Sequence, residues 1–342
     1  MTRAWTVRCA GALLLAALAG AARAAAPGES GQPETPIFRD VDPYEKLERK
    51  EPSLWRRPAE ETPAAQLARA RRFEQEGRRS HAISACDSLV HKWHNAPEAV
   101  LAQQALARLL EEDGQYERAF REHQYLIVYF AGQFPYLDAL ERQFREANAL
   151  RGEGRTFLGI TIESLDGVRR MYERILLNGP RWSRAPEVAL AIGAVREAAD
   201  ETTEAVAAYE AAANRYPGTA AARDASWRGA MCRQQLAQRH PRDESLRVHA
   251  ITALAAFERA YPDDPRVPEA ARLRAALERS QMTSAYEQAL FYDRSRKDRA
   301  AAVQAYRAFL LRYPDAPQRA EVEARLRKLE APAGPAGQGE TP

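Results

Sequence analysis

The sequence predicts an all-α fold of about six helix hairpins stacked in tandem, and two observations lead to this prediction. The first is composition. Between residues 63 and 330 the strong helix formers Ala, Leu, Arg, Glu and Gln dominate, and β-branched residues do not form the alternating runs typical of strands. Prolines in this region fall almost entirely between periodic segments, where helices must begin or end. We therefore expect residues 63–330 to be entirely helical.

The second observation is an internal repeat. A small residue is followed four positions later by an apolar or aromatic residue, seven positions later by another apolar residue and, in the strong copies, twelve positions later by proline. The strong copies are Val168-Tyr172-Ile175-Pro180, Ala205-Tyr209-Ala212-Pro217 and Ala302-Tyr306-Phe309-Pro314. Looser copies are Ala82-Cys86-Leu89, Ala119-His123-Leu126 and Ala250-Leu254-Phe257.

This spacing places the repeated residues on one face of a helix. The small residue lets a paired helix approach, the larger ones fill the space between units, and proline ends the helix. One unit cannot bury its own apolar face, so neighbours must stack. The pattern therefore predicts a tetratricopeptide-like α-solenoid with a concave surface, and a plain helical bundle is the alternative. The step from Ala119 to Val168 exceeds the roughly 34 residues of such a repeat. We attribute the excess to a flexible loop at 151–164 that enters an extra helix.

The two ends of the chain differ from this helical region. Residues 1–24 are expected to be a signal peptide: Arg3 and Arg8 precede a short apolar stretch, and Ala22 and Ala24 have the small side chains of a cleavage site. An uncleaved membrane anchor is the alternative. Residues 25–62 are proline-rich and are expected to be a disordered linker, with islands at 37–47 and 53–55 that interrupt its polar background. Residues 331–342 are expected to be a disordered tail.

Charge and motifs exclude several functions. Of the 50 Lys+Arg and 47 Asp+Glu, three arginines and no acid fall in residues 1–24, so the exported chain is formally neutral. This balance argues against nucleic-acid binding and against a polybasic membrane patch. The sequence contains no G-x-S-x-G, G-x-x-x-x-G-K-[ST] or H-E-x-x-H motif. We expect a non-enzymatic protein with no cofactor, no metal and no small-molecule substrate.

Histidines and cysteines are interpreted as structural. His91 and His94 could share a metal, but no third ligand at suitable spacing completes a site, so we expect solvated side chains near a helix C-terminus. His123 takes the aromatic position of its repeat and is expected to pack. Cys86 and Cys232 are typical of buried small hydrophobes, although export permits a disulfide between them.

A binding surface remains as the functional feature. In stacked hairpins the first helix of each pair lines the concave face. Counting back from the repeat places a mixed set of long polar side chains there in the first two units: Arg71, Glu74, Gln75, Gln104, Arg108 and Glu111. Such a lining suits an extended peptide held by hydrogen bonds. Solvation of an inner face is the alternative for each of these residues.

Two stretches carry a resemblance to a known family. GQYERAFREHQYLIVYFAGQFPYLDAL (114–140) and YEQALFYDRSRKDRAAAVQAYRAFLLRYPDAP (286–317) resemble units of the BamD/YfiO outer-membrane assembly family. The resemblance covers about residues 63–330. It implies a protein at the periplasmic face of the outer membrane that helps a barrel-forming insertase receive unfolded β-barrel precursors. The lipid-bearing cysteine of that family is missing from its expected place, because Cys9 precedes the apolar stretch.

A second class of protein fits the same pattern. Periplasmic tetratricopeptide adaptors of the CpoB/YbgF type, which coordinate cell-envelope or division processes, have similar repeats. They usually carry an amino-terminal coiled coil. Residues 25–62 contain no heptads and many prolines, which favours the first interpretation.

Overall fold

The computed structural model describes residues 47–152, 156–157, 160–161 and 165–331. These residues belong to one compact unit of the chain. The expected signal peptide, linker residues 25–46 and tail residues 332–342 lie outside the described residues. None of the helices in the described part is long and apolar enough to cross a membrane.

Thirteen α-helices are present in this part of the chain, and they form six hairpins and a final single helix. The first α-helix begins at Pro63 and the last ends at Glu330, the limits expected for the helical region. The hairpins are α1 Pro63–Gln75 with α2 Arg79–Trp93, α3 Pro97–Glu112 with α4 Tyr116–Tyr129, α5 Tyr136–Gly152 with α6 Leu165–Asn178, α7 Ala185–Ala198 with α8 Thr202–Arg215, α9 Ala220–Arg239 with α10 Glu244–Ala260, and α11 Val267–Leu290 with α12 Arg299–Arg312, followed by α13 Arg319–Glu330.

The helix packing is that of a tetratricopeptide-like α-solenoid. Each helix packs mainly on the next helix in sequence, with further contacts of α1 with α3 and of α7 with α9. The buried apolar residues form four successive clusters along the chain, from α1–α4 through α4–α9 and α9–α11 to α11–α13. A bundle would instead bring sequence-distant helices around a shared core. The expected all-α solenoid is thus confirmed, and the bundle alternative is excluded for the described helices.

The repeat pattern marks the second helix of every hairpin. Each copy begins in α2, α4, α6, α8, α10 or α12, and its positions 0, +4 and +7 are buried in all six copies. In the copies that have it, the proline follows the last helical residue by two positions, as Pro180 follows Asn178. The largest side chains without solvent exposure include the aromatic residues at position +4, Tyr172, Tyr209 and Tyr306. These residues fill the space between units, as the spacing predicts.

A left-handed residue turns the chain inside at least four hairpins. Gly77, Gly114, Asp200 and Lys297 have φ between 52° and 72°, and each lies five positions before the first repeat residue of its second helix. The turn after α1 is closed by the Arg78 amide, which donates to the Phe73 carbonyl at 2.8 Å. Such a bond satisfies a carbonyl that the helix end leaves unpaired. Gly is the residue that accepts this conformation without a steric cost.

A small hairpin corrects the expectation of a wholly helical region. Thr156–Phe157 (β1) and Ile160–Thr161 (β2) pair antiparallel within the segment between α5 and α6. Thr, Phe and Ile favour extended backbone. Strands of two residues form backbone hydrogen bonds only with each other, within this hairpin. α6 follows directly as the second helix of the third hairpin, so the helix expected to be extra belongs to the regular series.

The first residues of the described part precede α1 without forming a helix. Residues 47–62 belong to the segment expected to be a disordered linker. Residues 47–56, which we call the strap, nevertheless make hydrogen bonds to α2, α3 and α4. Within the strap, Leu54 is 74% exposed to solvent and Trp55 is 96% exposed.

Candidate protein-binding site

The residues expected to line a binding surface lie on the first helices of the first two hairpins. Arg71, Glu74 and Gln75 are on α1, and Gln104, Arg108 and Glu111 are on α3. Arg71 and Gln75 are exposed, and the other four are partly buried. The structure brings Glu74, Gln104, Arg108 and Glu111 together with Arg142 of α5, and we call the surface formed by these five residues the first-helix face.

Ion pairs connect successive first helices across this face. Arg108 Nη2 donates to Glu74 Oε1 at 2.6 Å, which joins α3 to α1. Glu111 accepts from Arg142 Nη1 and from Arg145 Nη2, both at 2.9 Å, which joins α3 to α5. Glu111 is the most buried of these side chains, with 16% of its area exposed. Each exposed pair contributes only a few tenths of a kcal/mol to about 1 kcal/mol, so their main effect is to fix side-chain positions.

A cavity of about 200 Å³ opens on the first-helix face between α3 and α5. Its polar lining residues are Gln104, Arg108, His123, Asp138 and Arg142, and its apolar ones are Ala105, Leu126, Phe134, Pro135 and Ala139. Phe134 and Pro135 come from the loop between α4 and α5, while His123 and Leu126 come from α4. The cavity therefore combines a charged rim with an apolar wall.

A buried polar pair lies next to this cavity. His123 Nδ1 is 2.8 Å from Glu146 Oε1, and the two side chains are 3% and 0% exposed. Burial lowers the pKa of His123 to about 4, whereas burial and, to a smaller extent, the charge of Glu111 raise the pKa of Glu146 to about 9. The environment disfavours either charge, because water that would solvate it is excluded.

The structure refines the interpretation of the histidines. His123 is buried at its repeat position, as expected, but it also meets a carboxyl group that spacing within α4 could not reveal. His91 was expected to be solvated and is instead 8% exposed. Its Nε2 lies 3.1 Å from Arg56 Nη1, and its Nδ1 lies 2.8 Å from the Asp87 carbonyl. The strap covers this histidine, which is why a reading of α2 as an exposed helix end was wrong.

The cysteines and the possible metal ligands have simple environments. Cys86 in α2 and Cys232 in α9 are both free and buried, so no disulfide joins them. Burial raises the pKa of Cys86 to about 12 and that of Cys232 to about 11, so both stay thiols. Within the described ranges no three His, Cys, Asp or Glu side chains are grouped closely enough to hold a metal ion.

Part of the first-helix face was missed from the sequence. Arg142 and Arg145 lie on α5, the first helix of the third hairpin. Counting back 8 to 11 positions from Val168, as in the first two units, reaches residues 157–160 rather than α5, because the segment between α5 and α6 is long. Phe134 and Pro135 lie outside the helices, and only tertiary packing brings them to the cavity.

Comparisons with known proteins leave the family open. No protein-family model matches the chain. No curated protein matches it either. Among solved structures, one match is the crystal structure of nearly identical TPR-like repeats from a protein described as a kinesin light chain of Podosopora anserina. It shares 16% identity, covers 58% of this chain and 100% of that chain, and superposes with a TM-score of 0.29. So low a score adds nothing to the fold assignment, which rests on the helix packing described above.

Proposed function

We propose that this chain is a non-enzymatic protein-binding scaffold of the bacterial cell envelope that assists the assembly of outer-membrane β-barrel proteins. The observation that carries the binding role is the cavity on the first-helix face. Stacked hairpins align their first helices into a continuous surface, which is the surface that repeat proteins use for binding. Here the cavity interrupts that surface where Gln104 and Arg108 stand opposite Arg142.

The dimensions and charges of the cavity favour a peptide as its ligand. A volume of about 200 Å³ is below the 300–1,000 Å³ typical of pockets for whole small molecules, and it suits a single side chain. The arginines of the first-helix face are paired with Glu74, Glu111 and Asp138, so no unpaired positive field is presented to a phosphate backbone. An extended chain would lie across α1, α3 and α5 and place one side chain against Phe134.

The envelope role is supported by sequence features. The expected signal peptide indicates export, and the stretches at 114–140 and 286–317 resemble the BamD/YfiO family. In this proposal the protein acts at the periplasmic face of the outer membrane, and its partners are the periplasmic domains of a barrel insertase and unfolded barrel precursors.

The competing role is that of a periplasmic coordinator of the CpoB/YbgF type. Such proteins usually carry an amino-terminal coiled coil, whereas residues 47–62, the described part of the segment before α1, contain no helix. The prolines of residues 25–62 and their lack of heptads favour the assembly role over the coordinator.

Site-specific crosslinking in the native envelope tests the proposal. A photo-reactive residue is placed at Gln104, which lines the cavity, and in a control variant at Ser84, which is exposed on α2. We expect position 104 to capture a barrel insertase or its precursors and position 84 to capture neither. Capture of peptidoglycan synthases or Tol-type proteins would support the coordinator instead. Equal capture at both positions would contradict a binding role for the cavity.

A further inference from the structure

The strap is held on the repeat domain by polar contacts and by the partly buried side chain of Leu47. Tyr129 Oη donates to the Leu47 carbonyl, and the Lys50 amide donates to Tyr125 Oη at 3.1 Å. Arg49 Nη2 donates to Asn95 Oδ1 at 2.7 Å. The strap forms no helix and pairs with no strand. Its attachment therefore depends on individual side chains rather than on regular backbone pairing.

Lys50 provides the most buried of these attachments. Its ammonium donates to Glu122 Oε2 at 2.6 Å, to Asp87 Oδ1 at 3.3 Å and to Gln103 Oε1 at 3.3 Å. An ammonium group has three N–H donors, and three acceptors meet it here. Nζ also lies 5.2 Å from the centroid of the Tyr125 ring, within the range of a cation–π contact. Only 12% of the lysine side chain is exposed.

The acceptors are positioned by the repeat domain itself. Gln103 is completely buried, and its Nε2 donates to the Glu122 carbonyl at 3.0 Å and to Glu122 Oε2 at 2.7 Å. These bonds orient Oε1 of Gln103 and the carboxylate of Glu122 towards the same point. Asp87 lies beside His91, whose Nδ1 is 3.4 Å from Asp87 Oδ1. The other carboxylate oxygen of Asp87 accepts a hydrogen bond from Arg56 Nη1 at 2.8 Å. The pocket is thus fixed by α2, α3 and α4.

The charge state of the pocket matches a cation. Burial raises the pKa of Asp87, but the hydrogen bond with His91 and the charges of Lys50 and Arg56 outweigh it and bring the pKa to about 2. The groups that contact the ammonium are Asp87 from α2, Gln103 from α3, and Glu122 and Tyr125 from α4. His91 of α2 and Arg56 of the strap contact Asp87. The three acceptors come from three different residues and converge on one nitrogen. This geometry suits the compact ammonium of lysine better than the planar fork of arginine.

We propose that the pocket formed by Asp87, Gln103, Glu122 and Tyr125 is a lysine-recognition site that the strap fills in cis, and that the released pocket binds the lysine of an extended partner peptide. Gln103 and Gln104 are adjacent on α3. Gln103 belongs to the lysine pocket, whereas Gln104 lines the cavity of the first-helix face. The site therefore does not depend on the role proposed for the first-helix face. The strap connects to α1 through only six residues, so its effective concentration at the pocket is on the order of millimolar. An external peptide binds only when the strap has detached.

Peptide binding to the full-length chain tests this inference. In a Lys50→Glu variant the new carboxylate faces Asp87 and Glu122, which expels the strap while the pocket residues stay unchanged. The probe is a fluorescein-labelled synthetic peptide with the sequence of residues 47–57. We expect Lys50→Glu to bind this probe at least about tenfold more tightly than the wild type does, measured by fluorescence anisotropy. Arg57→Glu, an exposed position beside the strap, is the matched control and should resemble the wild type.

Two further measurements make the result specific. A probe whose lysine corresponding to Lys50 is replaced by alanine should fail to bind the Lys50→Glu chain, and adding Asp87→Asn and Glu122→Gln to that chain should abolish binding of the original probe. Circular dichroism must show the wild-type helix content in every variant. The inference is overturned if the Lys50→Glu chain binds the probe no more tightly than the wild-type and Arg57→Glu chains do. It is also overturned if the Lys50→Glu chain binds the probe equally well with and without the probe's lysine.

Discussion

The contact between α7 and α8 depends on a glycine that cannot be enlarged. A Cβ added at Gly193 of α7 would lie 2.4 Å from Cδ1 and Cε1 of the Tyr209 ring. That ring is completely buried, and its hydroxyl donates to Glu197 Oε2 at 2.6 Å. Gly229 of α9 approaches Tyr209 as well, but a Cβ there would be 3.4 Å from the Cβ of Tyr209, an ordinary contact. The two glycines therefore provide a matched pair of test positions.

The expected effects of the two Gly→Ala changes have opposite signs. Relief of the Gly193→Ala overlap requires the ring to retreat by about 1 Å to reach a carbon–carbon separation near 3.5 Å. Overpacking of a dense core costs about 1–3 kcal/mol, and a confined, hydrogen-bonded ring places this case at the upper end. The higher helix propensity of alanine offsets about 1 kcal/mol of this cost, so Gly193→Ala should lower the free energy of unfolding by about 2 kcal/mol. Gly229→Ala keeps the propensity gain alone and should stabilise by about 0.5–1 kcal/mol.

Chemical denaturation followed by circular dichroism measures these differences. Because a repeat array can unfold in parts, hydrogen exchange of α7, α8 and α9 should be recorded alongside. We expect faster exchange in this region for Gly193→Ala and unchanged or slower exchange for Gly229→Ala. If Gly193→Ala is as stable as the wild type, or if both variants shift in the same direction, the close approach of α7 to Tyr209 has been misread.

Three other predictions concern single side chains. Because the pKa of Glu146 is raised from 4.5 to about 9, its contribution to stability is present below pH 4.5 and is lost as the pH rises to 9. Glu146→Gln should remove the loss of unfolding free energy between pH 6.5 and 9. A variant with the same slope of unfolding free energy against pH as the wild type would contradict this. Lys297 has a φ of 52°, so Lys297→Gly should stabilise the folded protein by about 1 kcal/mol, measured by thermal unfolding. A less stable variant would argue against the left-handed turn at this position. The buried carboxylate of Asp293 accepts two bonds from Arg325 of α13 at 2.7 Å and one from Tyr306 of α12 at 3.0 Å. Asp293→Asn should weaken the attachment of α13 by about 2 kcal/mol, visible as faster hydrogen exchange in α13. Exchange in α13 equal to that of the wild type would show that these bonds do not hold the helix.

Several features of the fold could be predicted from the sequence for a definite reason. The repeat at positions 0, +4 and +7 predicts which face of each second helix is buried, because helix geometry alone brings these positions into line. Ala82, Ala250 and Ala302 follow this rule although their copies differ in the following residues. The left-handed residue five positions before four of the copies is not predicted by the sequence, since Asp200 and Lys297 carry no glycine signal for this conformation.

The candidate site was only partly predictable. Glu74 and Arg108 were placed on the correct helices, but their mutual ion pair joins residues of two different hairpins. The repeat predicts packing for His123, but its partner Glu146 lies on the next hairpin. A pattern within one helix gives no information on which side chains of another helix will face it.

The sequence by itself determined the helical class, the number of hairpins and the faces that stack, because these follow from short-range periodicity and from prolines at helix ends. Tertiary structure alone decided that Lys50 enters a pocket built from three helices, that a cavity opens next to Gln104 and that Tyr209 lies between two glycines. Each of these contacts joins residues separated by a loop or a whole unit. Their geometry depends on the packing distance and rotation between helices, which the energies of many small contacts set together.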